Sequence, residues 1–160
     1  MKQEKTLIIL KPDAMQRGLM GEILNRFERK GIKFVGLKMV KLSDVLLDKH
    51  YAQHKGKHFF EPTKQYMKKM PVIIAVLEGM EAIRVIRAIC GPTDGKNAPP
   101  GTIRGDFISV ESYALADKKQ RVLRNLVHAS DTPENAKREI AVWFAEQELY
   151  RYPKELDKHF

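Results

Sequence analysis

His128 stands in the run Asn125-Leu-Val-His128-Ala-Ser130-Asp131-Thr132-Pro133, at the end of a short apolar stretch and just ahead of a helix start. Imidazole is a competent nucleophile at neutral pH, and its second nitrogen is open to orientation by a carboxylate. Glu139, two to three helical turns onward, is a carboxylate that could fold back to that strand end. A phosphate placed there would meet the positive end of the following helix and its free N–H groups. Taken alone, a histidine at a strand end is more often a satisfied structural residue. Lys11, Arg87 and Arg104 change that weighing, because each sits at an element end or in a long loop. Arg offers forked contacts to phosphate oxygens and Lys a point charge, the two things a polyphosphate needs. A scatter of cations is usually a solvated face, so this set suggests a site without deciding it.

Three other constellations point elsewhere and are weaker. Gly91-Pro-Thr-Asp-Gly95-Lys96-Asn97 imitates a P-loop but is one residue short, has Asn97 where a Ser or Thr should hold magnesium, and follows a helix instead of a strand. A turn-rich surface loop accounts for it better. Lys30 to Leu37 imitates an RNA-recognition strand, yet of Ile32, Phe34 and Leu37 only Phe34 is aromatic. A helix exit followed by a core strand is the simpler reading. His50, His54 and His58 recur at four-residue steps, as metal ligands on one helix face would. Gly56 interrupts that helix, and Lys55 and Lys57 would repel a cation, so a solvated helix end and loop is expected.

The elements that must position these groups are legible in outline. Thr6 to Leu10 is a continuous apolar run, as in a strand buried on both faces, and it stops at Lys11-Pro12-Asp13, a turn signal. Met20, Ile23, Leu24 and Phe27 recur at helical spacing up to Gly31. Phe34 to Val40 reads as a second strand, Asp44 to Tyr51 and Glu61 to Met70 as short helices, and Val72 to Leu77 as a third strand. Met80, Ile83, Ile86 and Ile89 mark a further helix. A long polar loop without structure of its own is expected from Gly91 to Gly105. Asn125 to His128 is a short strand candidate, and Thr132 and Pro133 open the last helix as N-cap and first helical residue. About four strands separated by helices make a small α+β sandwich with helices on one face of the sheet.

Composition narrows the function classes. The chain has 160 residues and a formal net charge of +9, with 43% hydrophobic and 31% charged residues. That balance suits one globular unit and argues against wholesale disorder. A single cysteine, Cys90, excludes a disulfide scaffold or a Cys-based zinc ribbon. No apolar run approaches the roughly 18 residues of a membrane span. Met1 to Lys5 leads into a block too short for a signal peptide's apolar core, so a cytoplasmic location is the expectation. The excess positive charge calls for an anionic partner: nucleic acid, a membrane surface or a phosphorylated small molecule.

Several motifs taken together resemble the nucleoside diphosphate kinases. They are Thr6-Leu-Ile-Ile-Leu-Lys11-Pro12-Asp13-Ala-Met-Gln16-Arg17-Gly18, His50-Tyr51 with Phe59-Phe60 after it, Gly91-Pro-Thr93, Pro100-Gly-Thr-Ile-Arg104-Gly105-Asp106-Phe107, Asn125 through Asp131, and Glu139-Ile-Ala-Val-Trp143-Phe144. The resemblance spans Lys5 to Tyr150. It implies a ferredoxin-like β-α-β-β-α-β core with a four-stranded antiparallel sheet, and one domain over 1–160. It also implies ping-pong transfer of a γ-phosphate, typically from ATP, to a nucleoside diphosphate through a phosphohistidine. By position, His128 would carry the phosphoryl group, Glu139 would hydrogen-bond the ring's other nitrogen, and Ser130 would stand beside it. Lys11 and Tyr51 would address the transferring group. Arg87, Thr93 and Arg104 would hold the outer phosphates, Asn125 the sugar hydroxyl, and Phe59 would stack on the base. Stacking tolerates every base, so broad base specificity follows. Mg2+ would ride on the nucleotide, with Asp131 approaching it through water. Family members are hexamers or tetramers, so a homo-oligomer is expected; neither a membrane nor a nucleic acid is required.

Two departures stand out. Residues 108–124 form a connection longer than in typical members, with basic Lys118, Lys119, Arg121 and Arg124. A short basic helix over Asp117 to Arg124 is expected there. The segment reads equally as a lid or phosphate-facing wall and as a surface elaboration or subunit contact. Val110, Tyr113 and Leu115 are candidates for the base's second face. Ala129 replaces the usual glycine after the histidine, a strained exchange only if its φ is positive. Against the kinase stand a basic nucleic-acid-binding module on a similar fold and a catalytically dead relative. The first leaves Asn125 to Asp131 and Glu139 without a role. The second gives no chemical reason to keep His128, Lys11, Arg104 and Glu139 together.

Overall fold

The computed structural model describes residues 2–155; Met1 and residues 156–160 lie outside it. The chain runs through strand β1 (Gln3–Leu10), helices α1 (Pro12–Gln16) and α2 (Met20–Arg29), strand β2 (Lys33–Val40), and helices α3 (Asp44–His50) and α4 (Phe60–Met67). It continues with strand β3 (Val72–Met80), helices α5 (Ala82–Cys90), α6 (Ile103–Phe107) and α7 (Tyr113–Lys118), strand β4 (Val127–Ala129) and helix α8 (Pro133–Trp143). The sheet order is β2-β3-β1-β4, with every neighbouring pair antiparallel. This is the ferredoxin-like α+β arrangement that the motifs imply.

The expectation that helices cover one face holds only for the two crossover helices. Ile23 and Phe27 of α2 and Ile86 of α5 pack on Ile8, Leu10, Ala75 and Leu77. The opposite face, Leu7, Ile9, Ile74 and Val76, is covered by Leu47 of α3, Met67 of α4 and Trp143 of α8. The cause is in the central strands. Leu7 to Leu10 and Val72 to Leu77 are apolar at every position, so both faces must be removed from water.

Strands β1 and β3 extend beyond their apolar runs because they pair with each other. Gln3 to Lys5 oppose Met80 to Glu78, and Lys5 Nζ lies 3.7 Å from the Glu78 carboxylate. Periodicity cannot see such an extension, since half-exposed polar residues form it. The Gly91–Gly105 connection has more structure than expected. It holds a helical turn at Gly95–Asn97, and α6 begins inside it with Thr102 accepting from the Gly105 N–H at 3.0 Å. The same hydroxyl donates to Pro99 O at 2.7 Å, and Asp106 accepts from the Gly101 N–H. Polar side chains therefore close this loop on itself.

Residues 108–124 also differ from expectation. The helix there is α7, which starts at Tyr113, four residues before the expected Asp117–Arg124 helix. Ser112 caps it by accepting from the Leu115 N–H at 3.2 Å, and Gln120 at φ 49° ends it. Glu111 anchors the segment: it takes a two-pronged ion pair from Arg121 at 2.6 and 2.7 Å and accepts from the Arg124 N–H at 2.8 Å.

Gly105 is the tightest point of the loop beside the site. A Cβ there would lie 1.9 Å from Pro99 O, a backbone atom with nowhere to go. Gly105→Ala is therefore expected to destabilise the fold by about 2 kcal/mol or more, read as a lowered urea midpoint.

Candidate active site

The site forms where β4 leaves the sheet. His128 pairs with Ile9 in the register of β1 and β4, so its ring shares the sheet face covered by α3 and α8. Thr132 caps α8 by accepting from the Asn135 N–H at 3.1 Å, with Pro133 in the first turn, as the sequence indicates. That start sets the helical phase. Ala136, Glu139 and Trp143 then share the buried stripe of α8.

Glu139 is 5% exposed and its Oε2 lies 2.8 Å from Nε2 of His128. The same oxygen accepts from Ser130 Oγ at 2.7 Å. Burial opposes ionisation of Glu139, but the hydrogen bonds from His128 and Ser130 and the nearby imidazole outweigh it and hold the carboxyl down to about 2. An ionised carboxylate only accepts, so Nε2 carries the proton and Nδ1 keeps its lone pair. Among the described residues no hydrogen-bond partner occupies Nδ1.

His50, 3% exposed, stands edge-on to His128 with ring centroids 4.9 Å apart. Trp143 Nε1 donates to its Nδ1 at 3.0 Å. Burial and the neighbouring His128 push the His50 imidazolium down to about 3, so the ring is neutral. His50, His128 and Glu139 bring ligand-type atoms within 4.8 Å of one another. Their lone pairs are largely spent on Trp143, Ser130 and each other, which makes this a hydrogen-bond network. The four-residue histidine series does not share a helix face: His50 ends α3, His54 lies in the turn Ala52–His54, and His58 follows in a loop.

Lys11, at the end of β1, donates to Asn125 Oδ1 at 2.6 Å, and Asn125 Nδ2 donates to Thr93 O at 3.0 Å. Burial lowers the Lys11 ammonium to about 8; Asp13 opposes the shift and Arg104 adds to it. Arg104 donates to three carbonyls, from Nε to Asn125, from one terminal nitrogen to Gly91 and from the other to Val127. Its guanidinium is thus fixed between the loop and β4. Arg87 is exposed in the last turn of α5, and Thr93 is exposed in the loop. Burial raises the Tyr51 hydroxyl above its usual range.

All of the expected residues line one connected cleft except Ser130, which is buried behind His128, and of these Phe59 reaches it from the far end. A cavity of about 240 Å³ holds Tyr51, Arg87, Arg104, Asp131 and Glu139. It shares Lys11, Thr93, Asn125 and His128 with a larger cavity of about 830 Å³ that runs to Phe59. Phe59 is 38% exposed at the start of α4. Of the three candidates for the opposite wall, Tyr113 lines the cavity and Val110 and Leu115 do not. Residues 108–124 contribute Tyr113, Ala116, Asp117 and Gln120, followed by Arg121, Val122 and Leu123. Lys118, Lys119 and Arg124 are exposed and off the cavity, and Arg121 is paired with Glu111, so this wall does not face phosphates with free cations. Ala129 does not have a positive φ, so its methyl costs no strain.

Three supports were not read from the sequence. Asp13, buried, accepts from Tyr66 Oη at 2.7 Å and from the Leu126 N–H at 3.0 Å. That clamp holds Leu126, a buried non-glycine residue at φ 68°, two residues before His128. Arg138 donates to the carbonyls of Lys49 and His50, tying α8 to the end of α3. His50 enters the sequence reading as a ligand candidate and as a motif residue, without its place against His128. The available signal for Asp13 was a carboxylate directly after the strand-ending proline; Arg138 carried none.

Comparison with known proteins fits this geometry. The family model described as nucleoside diphosphate kinase matches residues 4–149. The chain belongs to the nucleoside diphosphate kinase family. It is similar to the nucleoside diphosphate kinase of Thermococcus kodakarensis, 51% identical over 96% of this chain and 84% of that one. Its likeness to the Pyrococcus abyssi kinase is 48% over 98% and 93%. Among solved structures, the Borrelia burgdorferi kinase, a transition-state mimic with vanadate and ADP, superposes with a TM-score of 0.92 at 38% identity, covering 98% of this chain and 96% of that one. The Halobacterium salinarum kinase in complex with CDP gives a TM-score of 0.86 at 36% identity, covering 99% and 98%. The chain is a kinase of nucleoside diphosphates. Among the described residues no helix is long and apolar enough to cross a membrane.

The two buried network residues predict the acid limb of stability. The folded values of His50 and Glu139 both lie below their usual 6.5 and 4.5, so the unfolded chain binds more protons on acidification. Stability is full above pH 6.5. It falls toward pH 3 through His50, and from pH 4.5 toward 2 through Glu139 as well. The slope approaches about 1.4 kcal/mol per pH unit for each group. His50→Gln should flatten the urea-midpoint profile between pH 6.5 and 4.5, whereas Glu139→Gln should flatten only the part below 4.5.

Proposed function

We propose that the family's phosphoryl transfer runs in this chain through Nδ1 of His128. The observation that carries this is the 2.8 Å bond from Nε2 to Glu139, which leaves Nδ1 as the free nitrogen beside the cleft. The incoming γ-phosphate of a nucleoside triphosphate lies against His128, and Nδ1 attacks phosphorus as the bond to the bridging oxygen breaks. The nucleoside diphosphate leaves, and a second one reverses the step. Glu139 stabilises the positive charge that develops on the ring, and Ser130 holds Glu139 in place.

Transfer of this kind asks mainly for positioning and charge stabilisation. Lys11 and Tyr51 flank the transferring group. Arg87, Thr93 and Arg104 hold the outer phosphates, with Arg104 offering the N–H groups its three carbonyl bonds leave free. Asn125 meets the sugar hydroxyl and Phe59 stacks on the base. Asp131 has one carboxylate oxygen committed to Asn135, and among the described residues the other accepts no hydrogen bond, so hard oxygen donors suited to Mg2+ are present only with the phosphates added. Mg2+ bound to the nucleotide would neutralise phosphate charge, with Asp131 at the water layer. Residues 1–160 act as one kinase domain carrying 108–124 as an insertion. A cytoplasmic homo-oligomer is the working state, and the exposed Leu37 and Met39 on edge strand β2 support self-association.

Incubation with γ-labelled ATP and Mg2+, without acceptor, should give a stoichiometric, acid-labile and base-stable phosphoprotein that ADP discharges. His128→Ala should abolish the label while circular dichroism stays unchanged, and Glu139→Gln should slow labelling by about 10²-fold. Label persisting in His128→Ala would remove His128 as the nucleophile.

A further inference from the structure

The wall built by residues 108–124 has no role in the transfer chemistry, yet it closes the base end of the cleft. Its cavity-lining residues differ in kind from a bare stacking surface. Tyr113 is 54% exposed and stands in the same cavity as Phe59. Beyond it come Asp117 and Gln120, one helical turn apart, both exposed and both lining the cavity. Among the described residues neither the Asp117 carboxylate nor the Gln120 amide makes a hydrogen bond or ion pair. Other polar groups of the segment are engaged: Glu111 with Arg121, and Ser112 with the start of α7. Lys118, Lys119 and Arg124 also make no side-chain hydrogen bond among the described residues, but they lie off the cavity, whereas Asp117 and Gln120 line it.

A carboxylate accepts two hydrogen bonds side by side, and an amide supplies a donor. We propose that Asp117 and Gln120 read the base edge and bias this kinase toward guanine nucleotides. Guanine presents N1–H and an N2 amino group together as donors, matching the carboxylate, with O6 alongside as acceptor for the amide. Adenine places the acceptor N1 beside its amino group. Uracil and thymine flank their single N–H with two carbonyls, and cytosine sets the acceptor N3 next to its amino group. Each of these turns at least one lone pair toward Asp117. The backbone supports the placement of the pair. Gln120 sits at φ 49°, and its N–H donates to Asp117 O at 2.9 Å, so the turn fixes both residues relative to each other. The Glu111 clamp then fixes that turn to the rest of the chain.

This inference rests on the nucleotide reading of the cleft, and the experiment separates the two. Phosphoenzyme formed from ATP on the wild-type protein is discharged with GDP, IDP, ADP, CDP and UDP, and kcat/KM is taken for each acceptor. IDP is guanine's edge without the N2 amino group. The expected result is GDP above IDP by about tenfold, a size in keeping with loss of one arm of a paired hydrogen bond. GDP should exceed UDP by more than that. Asp117→Asn should close the gap between GDP and IDP, and Gln120→Leu should lower kcat/KM for GDP and IDP together, since both carry O6. Equal kcat/KM for GDP, IDP and UDP on a competent phosphoenzyme overturns the proposal and leaves the kinase mechanism standing. So does a guanine preference that survives Asp117→Asn. Failure to form the phosphoenzyme at all would strike the nucleotide reading instead.

Discussion

A carboxylate buried against a helix stripe and aimed at an imidazole sets the terms for this molecule. Glu139 is ionised in the interior because His128 and Ser130 donate to the same oxygen. Withdraw either donor and a buried charge stands undersupplied, a far larger penalty than the bond itself repays in water. The surrounding structure is arranged to keep the three together. β4 must pair with β1 in the register that sets His128 opposite Ile9, and α8 must begin at Thr132 for Glu139 to turn inward. Trp143, one turn later on α8, holds His50 against the second side of the same ring. The His128 ring is thereby fixed by strand register on one axis and helix phase on the other.

Much of this was legible because local signals coincide with it. The unbroken apolar runs Leu7 to Leu10 and Val72 to Leu77 mark central strands, and Thr132-Pro133 marks the start of α8. The site residues were recognisable from motifs, and the structure brings Lys11, Arg104, Asn125 and His128 around one cleft. What escaped has a common cause. The Asp13–Tyr66–Leu126 clamp and the Arg138 bonds to the end of α3 join residues far apart in the chain, and no local periodicity reports such pairings. The second helical layer is not specified by the number of helices: a strand apolar at every position requires cover on both faces but does not say which helix supplies it. The misplaced helix in 108–124 has a smaller cause: its basic residues drew attention to its end, whereas Ser112 decides its beginning.

The excess positive charge, the most conspicuous global property, turns out to be a poor guide to the cleft. Its most important cations are partly masked. Lys11 is lowered by burial, Arg104 is occupied by carbonyls, and Arg121 is neutralised by Glu111. A few oriented cations in a desolvated pocket each count for more toward an anion than several on the surface. Of the basic residues of the 108–124 segment, Lys118, Lys119 and Arg124 face water off the cavity, and Arg121 lines it with its charge paired to Glu111.

Arg104 carries one more consequence. Three backbone carbonyls from two different segments have immobilised its guanidinium before any ligand arrives. The rotamer entropy that a flexible arginine would surrender on meeting a phosphate has been surrendered during folding instead. The packing of the chain and any contact of Arg104 with a phosphate therefore depend on the same side chain. A lysine there would keep the charge but leave carbonyls of Gly91, Asn125 or Val127 without donors, so damage would first surface as lost stability and only then as lost affinity. Loop, strand and substrate site share a single fastening, and they cannot drift apart in evolution one at a time.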